Sequence, residues 1–164
     1  MSHTVTVTRT TTTTTTSAII INTGYLKSWP GILKFAEMIL GAVVVGLVSY
    51  YINKFYVINT PELFFLLMAV TFLTGTFILL TSCLISISTA SIISKTIYEV
   101  VYHGFAFVLY LAAGLTFIVE VNHYKRQHYS RDYEPYFAAA IIGLIVSALY
   151  LMSTIFALRS YRGL

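Results

Sequence analysis

The chain has 164 residues, 57% of them hydrophobic and only 10% charged, with a formal net charge of +4 at pH 7 and a mean hydropathy of +0.81. Water could not solvate such a composition as a monomeric globule, so lipid must do so. The basic residues are scattered near the ends of apolar runs, which suits anionic headgroups; a nucleic-acid groove needs a dense basic stripe, and no nucleic-acid partner is expected.

Residues 1–28 are polar and low in complexity: Thr alternates with Val5 and Val7, and Thr10 to Thr16 run unbroken into Ser17. Such a tract buries nothing, so it reads as a disordered, Thr-rich cytosolic tail open to phosphorylation. It lacks the basic start and short apolar core of a signal peptide, which leaves the first span as the expected insertion signal. The apolar patch Ala18 to Ile21 is too short to cross a bilayer.

Four apolar stretches follow, Ile32 to Ile52, Leu63 to Ile85, Ile97 to Val119 and Tyr136 to Leu158. Each reaches the ~20 residues that a helix needs to cross ~30 Å of hydrocarbon. The fold expected is all-α, a four-helix transmembrane bundle over 29–159 with spans at about 31–53, 62–87, 96–121 and 134–158, and a short tail at 160–164. Ser28, Trp29 and Pro30 read as a cap, an interfacial ring and a first-turn proline. Tyr50, Tyr51, Asn53, Lys54 and Tyr56 form the opposite belt. Asn59-Thr60-Pro61-Glu62 repeats the start signal, with Thr60 as the cap and Glu62 near the positive helix end. Ser86, Ser88, Thr89, Ser91 and Ser94 read as a tight turn between spans two and three.

An even span count puts both termini on one side with Arg9, Lys27, Lys95, Arg159 and Arg162. Lys54, Lys125, Arg126 and Arg131 stand opposite, so the positive-inside rule favours cytosolic termini by a thin margin. Cys83 is the single cysteine, which excludes an intrachain disulfide. None of Asn22, Asn53, Asn59 and Asn122 starts a glycosylation sequon.

Charges within hydrocarbon are costly and usually face a partner. Lys34 and Glu37, three residues apart, can share a face of span one, where an interfacial pair outweighs a proton relay because no second buried acid at similar depth is evident. Lys95, Glu99 and His103 follow at i, i+4 spacing on span three; a helix-start ladder is favoured there, since Glu99 and His103 supply only half a zinc site. His123 and His128 near Glu120, Asp132 and Glu134 match no metal motif and read as solvated loop residues. With no nucleophile beside a base, no phosphate-binding loop and no metalloprotease helix, neither enzymatic activity nor a cofactor or metal is expected.

Small residues recur at helical spacing: Ala42 with Gly46, Thr71 with Gly75, and Ala139 with Gly143 and Ser147. Such faces let helices approach closely in lipid. Gly41, Gly46, Gly75 and Gly143 are accordingly candidate packing positions. Cys83, near the far end of span two, is a candidate S-acylation site, set against a buried small residue, which is favoured slightly.

The stretch Trp29-Pro30-Gly31-Ile32-Leu33-Lys34-Phe35-Ala36-Glu37-Met38-Ile39-Leu40-Gly41 resembles the opening of the MARVEL domain, as in the MAL, plasmolipin and chemokine-like-factor (CMTM) proteins. Tyr98 to His103 with Leu109 to Ala113 resembles its third span, and Ala138 to Ala140 followed by Leu149-Tyr150 its fourth. The likeness covers roughly Pro30 to Arg159 and rests on the order of these motifs. It implies a non-enzymatic tetraspan in cholesterol-rich membrane of the cell surface or of trafficking vesicles, with cytosolic termini, acting in vesicle trafficking, membrane apposition and fusion, or cell junctions. The implied partners are the lipid bilayer, cholesterol, and other membrane proteins or further copies of the chain. Loops without Cys favour the short MAL/CMTM branch over the cysteine-stapled synaptophysin and occludin type. The alternative function is an accessory subunit that binds and stabilises another integral membrane protein.

Overall fold

The structure is a computed structural model that describes residues 22–55, 59–126 and 133–163. A 3-10 turn, Thr23–Lys27, leads into five helices: α1 (Trp29–Phe55), α2 (Thr60–Ile85), α3 (Ile87–Ile93), α4 (Ile97–Arg126) and α5 (Tyr133–Arg162). The Thr-rich segment 1–21 lies outside the described residues, as do His128 and Asp132.

Four of the helices are long and apolar enough to span a bilayer, over Trp29–Lys54, Thr60–Ile85, Ile97–His123 and Glu134–Arg162. At ~1.5 Å rise per residue each is roughly 40 Å long, more than the ~30 Å of hydrocarbon. Helix is the form lipid demands of such segments, because every backbone N–H and C=O must find its partner within the segment.

The helix ends follow short-range chemistry. Ser28 caps α1: its Oγ accepts from the Gly31 N–H at 3.3 Å and its carbonyl accepts from the Ile32 N–H at 2.9 Å. The cap of α2 is Asn59 rather than Thr60, one residue earlier than expected. Glu62 reaches back to accept the Asn59 N–H at 3.1 Å, and Asn59 offers the side chain that Thr60 would have supplied.

Three expectations are corrected at the end of the molecule that carries the described terminal residues. The Ser-rich connection after span two is a helix, α3, begun where the extended Ser86 backbone interrupts α2 and the Ser86 side chain accepts from the Thr89 N–H at 3.2 Å. Residues 23–27 are not part of a disordered tail, since the Asn22 N–H bonds to the Leu84 carbonyl at 2.7 Å and ties the 3-10 turn to α2. The last helix runs on to Arg162, through most of the expected 160–164 tail.

The spanning helices form a ring in which α1 lies against α2 and α5, and α4 lies against the same two. Between α4 and α5 the buried faces are small, with Ala106, Ala113, Ala139 and Ala140 at most 1% exposed, and this allows close approach. Phe65 stacks on Phe117 with ring centroids 4.7 Å apart, and Tyr110 meets both Phe65 and Tyr150 edge-on or tilted at 5.9 and 6.0 Å. Large apolar side chains such as Phe77, Phe105 and Val119 point outward, where lipid rather than water receives them.

Candidate functional site

Polar side chains collect inside the bundle at the end where α1 and α4 begin and α2 and α5 finish. Lys34 on α1 is 1% exposed. Its Nζ donates to the Tyr25 hydroxyl at 3.0 Å and forms an ion pair with Glu99 on α4. Burial pushes the Tyr25 phenol up to about 12, against the pull of the Lys34 charge beside it. Tyr25 is placed there by the tight seat of its turn on α1: a Cβ at Gly31 would come 2.0 Å from the Tyr25 carbonyl oxygen.

One turn deeper, and about 12 Å from the start of α1 at ~1.5 Å per residue, Glu37 is fully buried. Ser153 on α5 donates to its Oε1 at 2.5 Å, while its Oε2 faces His103 Nε2 at 3.9 Å. On the other side of the ring, His103 Nδ1 lies 2.7 Å from the Glu99 carbonyl oxygen. Below these groups three hydroxyls from three helices converge. Thr76 on α2 meets Tyr102 at 3.0 Å and Tyr150 at 2.8 Å, and both phenols also donate to the Phe72 carbonyl, at 3.1 and 3.2 Å. Gly75 makes the passage for Tyr102, because a Cβ there would stand 2.5 Å from the phenol oxygen.

The expected pairings within one helix are therefore replaced by pairings between helices. Lys34 and Glu37 do share the inward face of α1, but both are buried and they do not pair: Lys34 turns to α4 and the 3-10 turn, Glu37 to α5 and His103. Glu99 binds Lys34 instead of Lys95, which is exposed ahead of α4. A second buried acid does accompany Glu37, since Glu99 belongs to the same cluster. Helices in lipid satisfy a buried charge across the nearest seam, because a partner there need not bend back toward water.

The glycines have varied surroundings. A Cβ at Gly143 would lie 2.5 Å from the Phe65 ring, one at Gly41 would touch Leu73 at 3.6 Å, and one at Gly46 would meet nothing within 4 Å. Gly75 and Gly143 thus make room for aromatic rings rather than for a neighbouring backbone. Cys83 is 1% exposed, with its thiol toward Tyr25. At the opposite end, Asn59 Nδ2 reaches Glu120 Oε1 at 3.4 Å, while His123 is exposed. Among the described residues no group of three His, Cys, Asp or Glu side chains could hold a metal ion.

Tyr25, Thr76, Tyr102, Tyr150 and Ser153 are the members that residue spacing did not single out. A signal for two of them exists on α5, where Ser147, Tyr150 and Ser153 recur every third residue in an otherwise apolar run. Ser147 also bonds across the seam, to the Phe107 carbonyl at 3.1 Å.

The MARVEL family profile, described as a membrane-associating domain, matches residues 25–156. The chain belongs to the MARVEL family. No curated protein and no solved structure matches it. The matched region of this MARVEL chain begins at Tyr25 and so takes in the residue that closes the end of the polar network, as well as the first three spans and most of the fourth. Family and structure together make the protein an integral, multi-pass, membrane-associated protein.

Proposed function

We propose that the protein organises membrane: it gathers sterol-rich lipid around its bundle and acts in vesicle trafficking, membrane apposition and fusion, or junction formation, without catalysing a reaction. The observation that carries this reading is where the described chain lies. The spanning helices are joined by connections of 4, 11 and 6 residues, counting from 55 to 60, 85 to 97 and 126 to 133, so most of the described chain belongs to helices fit to face lipid. The interior is closed by stacked rings, hydrogen bonds and the Lys34–Glu99 ion pair, which hold the helices to one another. An outward groove of about 360 Å³ between α1 and α2, lined by Met38, Ile39, Ala42, Leu73, Thr74 and Phe77, adds support. It is apolar but for one exposed hydroxyl, a surface suited to a rigid lipid carrying one polar group.

Photo-crosslinking with a photoreactive sterol, run beside a pull-down from mild detergent, tests the reading. Sterol labelling that maps to α1 and α2, without a stoichiometric protein companion, is the expected result. A stable heteromer with no sterol label would overturn it in favour of an accessory subunit of another membrane protein.

A further inference from the structure

His103 fixes its own tautomer. A carbonyl oxygen only accepts, so the 2.7 Å contact with the Glu99 carbonyl requires Nδ1 to carry hydrogen. A neutral imidazole in that form presents a bare lone pair at Nε2. That atom faces Glu37 Oε2 at 3.9 Å, and both side chains are 0% exposed. Neither atom has a hydrogen-bond partner among the described residues. With the carboxylate ionised and the ring neutral, two acceptors would confront each other in a dry interior, which is the costly way to bury polar groups. One hydrogen ion on the pair removes the conflict, whether it resides on the carboxyl or on the ring.

We propose that Glu37 and His103 together form a binding site for a single hydrogen ion, filled while the bundle is closed and reached from the end of the molecule where α1 begins. The charges around the site support a count of one. Around it stand Lys34 from α1, Glu99 and Tyr102 from α4, and Tyr150 and Ser153 from α5; Thr76 of α2 bonds to the two phenols, and Tyr25 and Cys83 lie beyond Lys34. Lys34 and Glu99 cancel, and the hydroxyl and thiol groups carry no charge at neutral pH. The cluster is neutral with one ion on the pair, negative without it and positive with two.

Access runs one way. A cavity of about 30 Å³ touches Lys34, Glu99 and Ser153 and reaches Ser94 and Ser160 near the helix ends, room enough for a water, which needs ~10–15 Å³. Ser153 then links the cavity to Glu37. Toward the other side of the membrane, the rings of Tyr110, Phe65 and Phe117 fill the bundle axis. The ion therefore enters and leaves by the same end, which makes this a binding site and not a conduit.

Emptying the site leaves an uncompensated carboxylate between α1 and the α4–α5 pair. Because an opened bundle exposes the two groups to water, where the imidazole releases its ion near the ordinary ~6.5, the closed bundle holds one more ion than the opened one above that pH, and stability falls with rising pH from there until the closed bundle also releases its ion. The two steps of titration belong to the pair rather than to either residue.

The test uses the full-length protein in lipid nanodiscs, with 15N-histidine labelling and infrared spectroscopy; H103Q identifies the His103 signals. At neutral pH the expected result is either a protonated-carboxyl band that E37Q abolishes or a doubly protonated His103 ring. Thermal melting of the wild type should decline on the alkaline side, and E37Q, whose amide reproduces the neutral carboxyl, should fold and lose that decline. An ionised Glu37 beside a singly protonated His103 would overturn the proposal. So would an E37Q protein that fails to fold or that keeps the wild-type alkaline decline.

Discussion

Lys34 shows how much one side chain can carry in this bundle. Its charge is buried against Glu99, whose side chain is 7% exposed. Removing one member of such a pair strands the other and typically costs ~3–5 kcal/mol, whereas replacing both by apolar groups is often near neutral. K34M should therefore melt far below the wild type in mild detergent, and K34M/E99M should recover most of the loss. Additive losses in the double variant would show that the two do not act as a pair. Gly143 supplies a second residue-scale test. G143A forces a methyl into the Phe65 ring, which its stack on Phe117 holds in place, and overpacking of this kind costs ~1–3 kcal/mol. G46A has open space around it and should melt like the wild type. At this scale the sequence reveals which residues are unusual but not what they meet. Spacing alone puts Lys34 and Glu37 on one face, yet their partners stand 65 and 116 residues away along the chain, a distance no local pattern encodes. Gly46 and Gly143 look equivalent in sequence and differ only in whether a ring from another helix is aimed at them.

At the scale of elements, the 3-10 turn acts as a stopper. It is bonded to α2 through Asn22 and seated on α1 at Gly31, and Tyr25 lies over Lys34 and Cys83. Because Cys83 is the single cysteine, its reactivity reports on this seal. Maleimide labelling of Cys83 in the folded wild type should be slow, and in Y25A it should rise at least several-fold. Equal rates would mean that the turn does not guard this end. The four long helices were legible because apolar length beyond ~20 residues has few other meanings. The 3-10 turn and α3 were not, since five and seven residues carry too few positions to set a period. The start of α2 was misplaced by a single residue because Asn59 and Thr60 are both good caps, and the choice was made by Glu62 three positions after Asn59.

Among the described residues, the four spanning helices form a ring stitched by polar contacts at one end and by aromatic stacking along its axis. We propose that both termini face the cytosol and that segment 122–134 faces the other side of the membrane, as an even number of spans requires. Protease added to sealed vesicles should cut that segment and a terminal tag from opposite sides, with the tag on the cytosolic face; cleavage of both from one side would contradict the topology. Architecture was readable in composition because the bilayer permits so few folds. The task performed in the membrane is less readable, because it rests on lipid-facing surfaces whose residues resemble those of any other span. The central claim is that the protein alone gathers sterol-rich lipid. The most direct measurement is the distribution of a fluorescent sterol around purified, terminally labelled protein in sterol-containing giant vesicles with no other protein present. Sterol enriched wherever the protein gathers is the predicted result, and sterol spread evenly around clustered protein would contradict the account.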